Sequence, residues 1–199
     1  DRRAAPLALR SPTRAAPPPA QDSPRCQPLH NPAMSHTFTV DGVEILVEGA
    51  GPDTLLMLHG WPDTHRLWDG TVAALQDRFR CARFTWPGFE AGSPRQLLTL
   101  DQTLDLVLAV VDRLSPGRPV TLVLHDWGCL FGYQFAMRHP DRVKRIVGVD
   151  IGDVSTLQKS LPPSQLLGIV AYQWWLAFAW RIGGRVGDAM TRWMARRTR

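Results

Sequence analysis

Short apolar runs that alternate with helical segments are the feature that most limits the fold of this chain. Thr54–Leu58 and Pro119–Leu124 are continuous apolar runs, which are typical of strands buried on both faces. Leu100–Leu114 carries apolar residues at helical spacing and stops before Ser115-Pro-Gly117. Strands that alternate with helices predict an α/β fold, in which helices cover both faces of a mostly parallel sheet.

The same patterns give the remaining elements. We predict strands over Thr37–Val40, Val43–Val47, Cys81–Thr85 and Val143–Val149. We predict helices over His65–Arg78, Trp127–His139 and Leu166–Trp180. The last helix is apolar almost all round, but it spans only about 22 Å, less than the roughly 30 Å of a bilayer core. We therefore interpret it as a helix buried between two domains and expect no membrane partner.

The positive charge of the chain lies at its two ends. The formal net charge of the chain is +5. Residues 1–33 and 181–199 together carry more positive charge than this total, because arginines outnumber aspartates in both segments. The middle of the chain has no basic stripe, so we expect no nucleic-acid partner. Cys26, Cys81 and Cys129 have neither metal-ligand spacing nor an even number for disulfides, which predicts no metal and a reducing compartment. We expect a cytoplasmic location because the sequence shows neither a secretory signal nor a convincing membrane span.

The composition also suggests where domains begin and end. Residues 1–33 contain eight prolines, which oppose a continuous helix or strand, and no apolar segment of a secretory signal. We expect a disordered leader there, with Met34 as the natural start. Residues 34–153 would form the core and 154–199 part of a helical lid; the oligomeric state is left open.

A strand, a sharp turn and a helix meet in the tract Val120–Gly128. This is the context of a nucleophile elbow, usually written G-x-S-x-G, and here it carries His125-Asp-Trp-Gly128 with Asp126 in the nucleophile position. Leu124 replaces the first glycine of the pattern, which is a departure. Gly128 and Gly132 supply small residues where the helix must pack tightly on the sheet.

An aspartate in place of serine changes the chemistry of the elbow. A carboxylate is already ionised at pH 7 and attacks an electrophilic carbon without a base. Because it is a weak nucleophile, its target must be a strained carbon or one with a good leaving group, such as an epoxide or an alkyl halide. The ester that forms must then be hydrolysed by water. The alternative is that Asp126 merely caps the following helix.

A second motif, His59-Gly60-Trp61-Pro62, follows the buried strand Thr54–Leu58. The elbow architecture takes one oxyanion-hole N–H from this loop and one from the residue after the nucleophile, which here are the backbone groups of Trp61 and Trp127. The alternative is a plain turn in which Pro62 starts a helix. We interpret His59 as a structural residue that holds the loop by hydrogen bonds.

Residues 38–153 resemble the epoxide hydrolase and haloalkane dehalogenase branch of the α/β-hydrolase superfamily. The resemblance is carried by His59-Gly-Trp-Pro62, Trp86-Pro-Gly-Phe89, His125-Asp-Trp-Gly128 and His139-Pro-Asp-Arg-Val143. It implies an α/β-hydrolase fold, incomplete here and with the start of a helical lid. It also implies cofactor-free hydrolysis of a small apolar substrate through an ester on Asp126.

Three residues bear on the choice between the two activities. Related dehalogenases often have Asn where this chain has Trp61, so Trp61 is closer to epoxide hydrolases. Leu124 points the other way, because dehalogenases often have an apolar residue there. Tyr172, 46 residues after Asp126, is similar to the lid tyrosine that donates a hydrogen bond to the epoxide oxygen; alternatively it packs in a Trp-rich helix.

The family's order of nucleophile, acid and histidine is not completed in this sequence. His139 is the only histidine after Asp126, and its turn is expected to face away from the strand tips. Asp150 or Asp153 would be the acid, with Asp150 preferred. We therefore expect a fragment that forms the ester but lacks the base for its release. The rival interpretations are a haloalkane dehalogenase and a non-catalytic hydrolase-like protein.

Overall fold

The computed structural model describes residues 35–90, 93–94, 96–150 and 161–197. Six strands in these residues form one mixed sheet in the order β1-β2-β4-β3-β5-β6. They are β1 Ser35–Val40, β2 Val43–Glu48, β3 Asp53–Leu58, β4 Phe79–Phe84, β5 Val120–His125 and β6 Val143–Val149. The hairpin β1-β2 is antiparallel and β2 pairs antiparallel with β4, whereas β3, β4, β5 and β6 are parallel. This confirms the predicted α/β fold.

Five α-helices accompany the sheet in the described residues. They are α1 Asp69–Leu75, α2 Leu100–Leu114, α3 Trp127–Arg138, α4 Pro163–Ile182 and α5 Gly184–Arg197. A capping box fixes the start of α2, in which the Thr99 hydroxyl accepts from the Gln102 backbone and the Gln102 side chain accepts from the Thr99 backbone. The observed bounds of α2 and of β6 are those predicted from the sequence.

The central strand β3 is apolar from Leu55 to Leu58, where both of its faces are covered. Leu56 and Leu58 pack in one buried cluster with residues of α2 and α3. Leu55 and Met57 pack in a second cluster with Trp68 and with Val72 of α1. Each buried aliphatic side chain stabilises the fold by roughly 1.5–3 kcal/mol. The carboxyl end of β3 is thereby held rigidly next to that of β5.

The predicted extent of the helix His65–Arg78 is wrong. The structure has a 3₁₀ turn at His65–Trp68, followed by α1, which ends at Leu75. The side chain of Thr85 accepts a hydrogen bond from the backbone of His65 and also binds its ring. This tether at the end of β4 holds the first turn in a tighter winding than an α-helix.

The helix predicted over Leu166–Trp180 is present as part of α4, but the expectation that it is buried is wrong for the described residues. Only Ala179 of α4 is fully buried, and Trp174 is 73% exposed. The helix packs on α5 along one side, where the Trp175 indole N–H donates to the Met190 carbonyl. No helix in the described part of the chain combines the length and apolar character of a membrane span.

Candidate active site

Asp126 lies at the tip of a sharp turn between β5 and α3. Its backbone has φ 50° and ψ −120°, a region that residues with a side chain rarely adopt. Such strain persists only where the surrounding structure enforces it, and it collects at functional sites. Asp126 precedes α3 in the N-cap position, but its side chain makes none of the usual capping hydrogen bonds to the second or third residue of the helix.

Two backbone N–H groups are directed at the Asp126 carboxylate. The Trp61 N–H donates to Asp126 Oδ2 at 2.7 Å, and the Trp127 backbone provides a second hydrogen bond. Burial raises the pKa of Asp126, while these two bonds act to lower it. The structure thus brings together the three predicted residues, with two backbone donors on one carboxylate.

Glycine at two positions permits this close approach. A Cβ on Gly60 would overlap the Asp126 carboxylate and come within 2.5 Å of the Trp127 nitrogen. A Cβ on Gly128 would come within 2.7 Å of the Leu58 carbonyl carbon and closer still to its oxygen. The end of β3, the loop that follows it and the start of α3 are therefore in main-chain contact around Asp126.

Leu124, the departure from the elbow pattern, is matched by a glycine on α3. Leu124 is fully buried, and a Cβ on Gly132 would lie 2.5 Å from its terminal methyl carbons. The larger side chain thus occupies space that Gly132 leaves free. Sequence reasoning noted Gly132 as a small packing residue but missed its pairing with Leu124, eight residues earlier.

His59 is fully buried and both of its ring nitrogens are engaged. Nε2 accepts a hydrogen bond from the Trp86 backbone N–H at 3.2 Å, so the ring proton lies on Nδ1, which donates to the Gly60 carbonyl at 2.8 Å. The Trp86 indole N–H donates to the His59 carbonyl in return. These contacts link the loop after β3 to the loop after β4, as expected of a structural residue.

The burial of His59 makes folding stability depend on pH. Desolvation lowers the pKa of His59 from 6.5 to about 4, so below pH 6.5 the unfolded chain binds a proton that the folded chain excludes. The contribution of His59 to the free energy of unfolding is complete above pH 6.5 and falls by about 3 kcal/mol as the pH drops towards 4. We expect urea unfolding to show this loss in the wild type.

The matched comparison is His59→Gln, because its amide cannot be protonated in this range. The pKa of His65 is also lowered, by its own burial, so the difference between the two proteins isolates His59. Equal slopes of unfolding free energy against pH in wild type and variant would contradict the assignment of a neutral, buried His59.

Tyr172 on α4 lies over the loop that carries Trp61. The two rings are stacked, with centroids 6.0 Å apart and planes inclined by 29°. Burial raises the pKa of Tyr172, the Asp126 charge raises it further, and a hydrogen bond with the Trp127 side chain acts to lower it. The structure thus brings Tyr172 to the same site as Asp126, as the spacing of 46 residues predicts.

His125 and Asp150 lie beside the elbow, at the ends of β5 and β6. The His125 Nε2 atom is 4.0 Å from Asp150 Oδ2, and Nδ1 is buried without a hydrogen-bond partner in the described residues. Asp150 has φ 82°, and its charge contributes to the raised pKa of Asp126. Asp153, the other candidate acid, lies outside the described residues.

No group of three His, Cys, Asp or Glu side chains in the described residues could hold a metal ion. His139, at the end of α3 opposite Asp126, packs against Phe135 with ring centroids 5.0 Å apart.

The residues gathered at the elbow are a carboxylate, two backbone donors, a tyrosine and a His–Asp pair. This set can perform nucleophilic attack and stabilise an oxyanion.

Known proteins with similar sequences cover part of this chain. A probable oxidoreductase EphD from Mycobacterium bovis is 39% identical over 112 residues, which are 53% of this chain and 19% of that protein. A cis-3-alkyl-4-alkyloxetan-2-one decarboxylase from Xanthomonas campestris is 30% identical over 142 residues, which are 66% of this chain and 44% of the relative. The chain spans less than half the length of these relatives.

Solved structures give the same picture of the fold. The epoxide hydrolase VrEH1 from Vigna radiata has a TM-score of 0.53 and 25% identity, over 61% of this chain and 39% of that one. Epoxide hydrolases and haloalkane dehalogenases both occur among the similar proteins. Residues 53–198 match the family described as alpha/beta hydrolase fold. The chain therefore belongs to the α/β-hydrolase family.

Proposed function

We propose that this chain carries the nucleophilic half of an epoxide hydrolase. The Asp126 carboxylate attacks a ring carbon of the epoxide, the carbon–oxygen bond of the ring breaks, and an ester forms. The ring oxygen leaves with the electron pair and takes the proton of the Tyr172 hydroxyl. The observation that carries this proposal is the ionisable carboxylate held at a strained elbow by the backbone of Trp61 and Trp127.

Release of the product would require attack of water on the ester carbonyl. The N–H groups of Trp61 and Trp127 would stabilise the oxyanion, and a base would take the proton of the water. His59 is engaged at both nitrogens, and His139 lies at the far end of α3. His125 has a buried Nδ1, and its Nε2 lies 4.0 Å from Asp150 Oδ2, so we do not assign it as the base. Asp150 is the acid candidate for orienting a base. With these 199 residues alone, the ester is expected to accumulate.

The test is to incubate the chain with 1,2-epoxyhexane and measure its intact mass. We expect an increase equal to one epoxide molecule, and peptide mapping is expected to place the ester on Asp126. Diol formation without accumulation of an adduct would contradict the proposed missing base. The absence of both adduct and diol would favour the rival interpretation, a hydrolase-like protein without activity.

Tyr172→Phe is expected to slow ester formation from an epoxide by about 10²-fold, because the departing alkoxide loses its proton donor. The control is a second substrate, 1-iodohexane, whose leaving halide needs no proton. Rates of adduct formation, followed by mass spectrometry, should fall only for the epoxide. An equal fall with both substrates would mean that Tyr172 only shapes the site.

A haloalkane dehalogenase is the second candidate, and the Leu124–Gly132 packing favours it. An apolar residue at this elbow position is typical of dehalogenases, and in this chain Leu124 is fully buried in the space that Gly132 leaves free. Release of one halide per chain from 1-iodohexane, faster than ester formation from the epoxide, would support this candidate. An oxetan-2-one, the ring in the name of the Xanthomonas relative, is a further strained electrophile for the same assay.

A further inference from the structure

A cavity of about 670 Å³ extends from Trp61 towards helices α4 and α5. Its larger apolar lining side chains come from three parts of the chain: the loop after β3, the loop after β4, and α4. The side chains that form this lining are Trp61, Phe89, Leu97, Leu176, Ala177 and Trp180. The volume lies within the range of small-molecule sites, and Asp126 and Tyr172 do not line the cavity.

Trp61 connects this cavity to the elbow. Its backbone N–H holds the Asp126 carboxylate, its ring stacks on Tyr172, and it also lines the cavity. A substrate whose reactive carbon is at Asp126 therefore has Trp61 beside it, with the cavity beyond.

Helix α4 runs from the elbow along the cavity. Tyr172, Leu176 and Trp180 are spaced by four residues, so they share a face, about 6 Å apart along the axis at each step. The first of them lies at the reaction centre and the other two line the cavity. A ligand that follows this face would extend about 12 Å from the elbow.

The lining exposes apolar surface that a hydrocarbon would cover. Leu97 is 78% exposed and Trp180 is 49% exposed. Charged groups in the lining come from Glu90 and from Asp188 and Arg192 of α5, whereas the side that α4 contributes, Leu176, Ala177 and Trp180, is apolar. An unbranched alkyl chain suits that side, because removing apolar surface from water is its main source of affinity.

We propose that this cavity receives the unbranched alkyl chain of the substrate, so that the protein acts on long-chain terminal epoxides. Ala177 and Leu97 are then the specificity-determining positions. The proposal rests on the proposed function of Asp126. It assigns the reactive ring to the elbow and the hydrocarbon tail to the space between the loop after β4 and helix α4.

The test compares ester formation from 1,2-epoxybutane and 1,2-epoxydodecane. We expect half-maximal rate at a concentration at least about tenfold lower for the longer epoxide, because its additional methylene groups are buried. Ala177→Trp fills the cavity and is expected to remove this preference, by raising the half-maximal concentration for 1,2-epoxydodecane to that for 1,2-epoxybutane. Ala189→Trp, an exposed position of α5 outside the lining, is the matched control and should keep the preference.

Three results separate this inference from the proposed function. Equal behaviour of Ala177→Trp and Ala189→Trp, or no preference in the wild type, would overturn the cavity assignment. Absence of an ester with either epoxide would overturn the proposed function instead. In that case, calorimetric titration with decan-1-ol decides on the cavity: binding by the wild type and loss in Ala177→Trp would support it, and no binding would overturn it.

Discussion

Asp126→Asn is expected to abolish covalent labelling by epoxides, with a rate at least on the order of 10³-fold below that of the wild type. The amide has no negative charge and is not a nucleophile towards an epoxide carbon. Its carbonyl oxygen still accepts from the Trp61 N–H, and Asn tolerates a positive φ, so the elbow should remain intact. Intact mass after incubation with 1,2-epoxyhexane measures the effect.

The control for this experiment is Asp105→Asn, which removes an exposed carboxylate from α2. Its labelling should equal that of the wild type. Urea unfolding should show Asp126→Asn to be at least as stable as the wild type, because burial raises the pKa of Asp126 and so disfavours its charged form. Labelling of Asp126→Asn at the wild-type rate would assign the nucleophile to a different residue.

Gly128→Ala is expected to lower the free energy of unfolding by about 3 kcal/mol or more. The added Cβ would overlap the carbonyl of Leu58 and come within 3.0 Å of the His59 carbonyl oxygen. These atoms belong to the backbone, which cannot rotate away as a side chain would. Either the end of β3 or the start of α3 must move. Urea denaturation measures the loss, and the displacement of the Trp61 loop should also slow labelling.

Gly70→Ala is the matched control for this substitution. Gly70 lies in α1, and a Cβ there would have no atom within 4 Å. Alanine in a helix is favoured over glycine by roughly 0.5–1 kcal/mol, so this variant should be as stable as the wild type or slightly more so. Equal stability of Gly128→Ala and Gly70→Ala would mean that α3 does not approach β3 so closely in solution.

The elements that sequence reasoning predicted best are those with local determinants. The start of α2 follows from the capping box of Thr99 and Gln102, and its end from the break after Leu114, so each bound is set by residues close to it in the chain. The degree to which α4 is buried could not be predicted, because it depends on which surfaces pack against the helix. The 3₁₀ turn at His65 likewise depends on Thr85, which is 20 residues away.

The same distinction holds for the candidate site. The elbow motif and the spacing to Tyr172 pointed to residues that the structure brings together, although their roles remain predictions. The fit of Leu124 against Gly132 depends on how closely α3 packs on β5, which a motif does not state. The cavity beyond Trp61 depends on three separate segments and left no pattern in the sequence.

The close main-chain packing around Asp126 has a consequence for redesign. The carboxylate is oriented by backbone groups of Trp61 and Trp127, and glycines at positions 60 and 128 set the distance between the segments. Side chains, by contrast, form the walls of the adjoining cavity. Substitutions in those walls are therefore expected to change the shape of the cavity while the Asp126 carboxylate keeps its orientation.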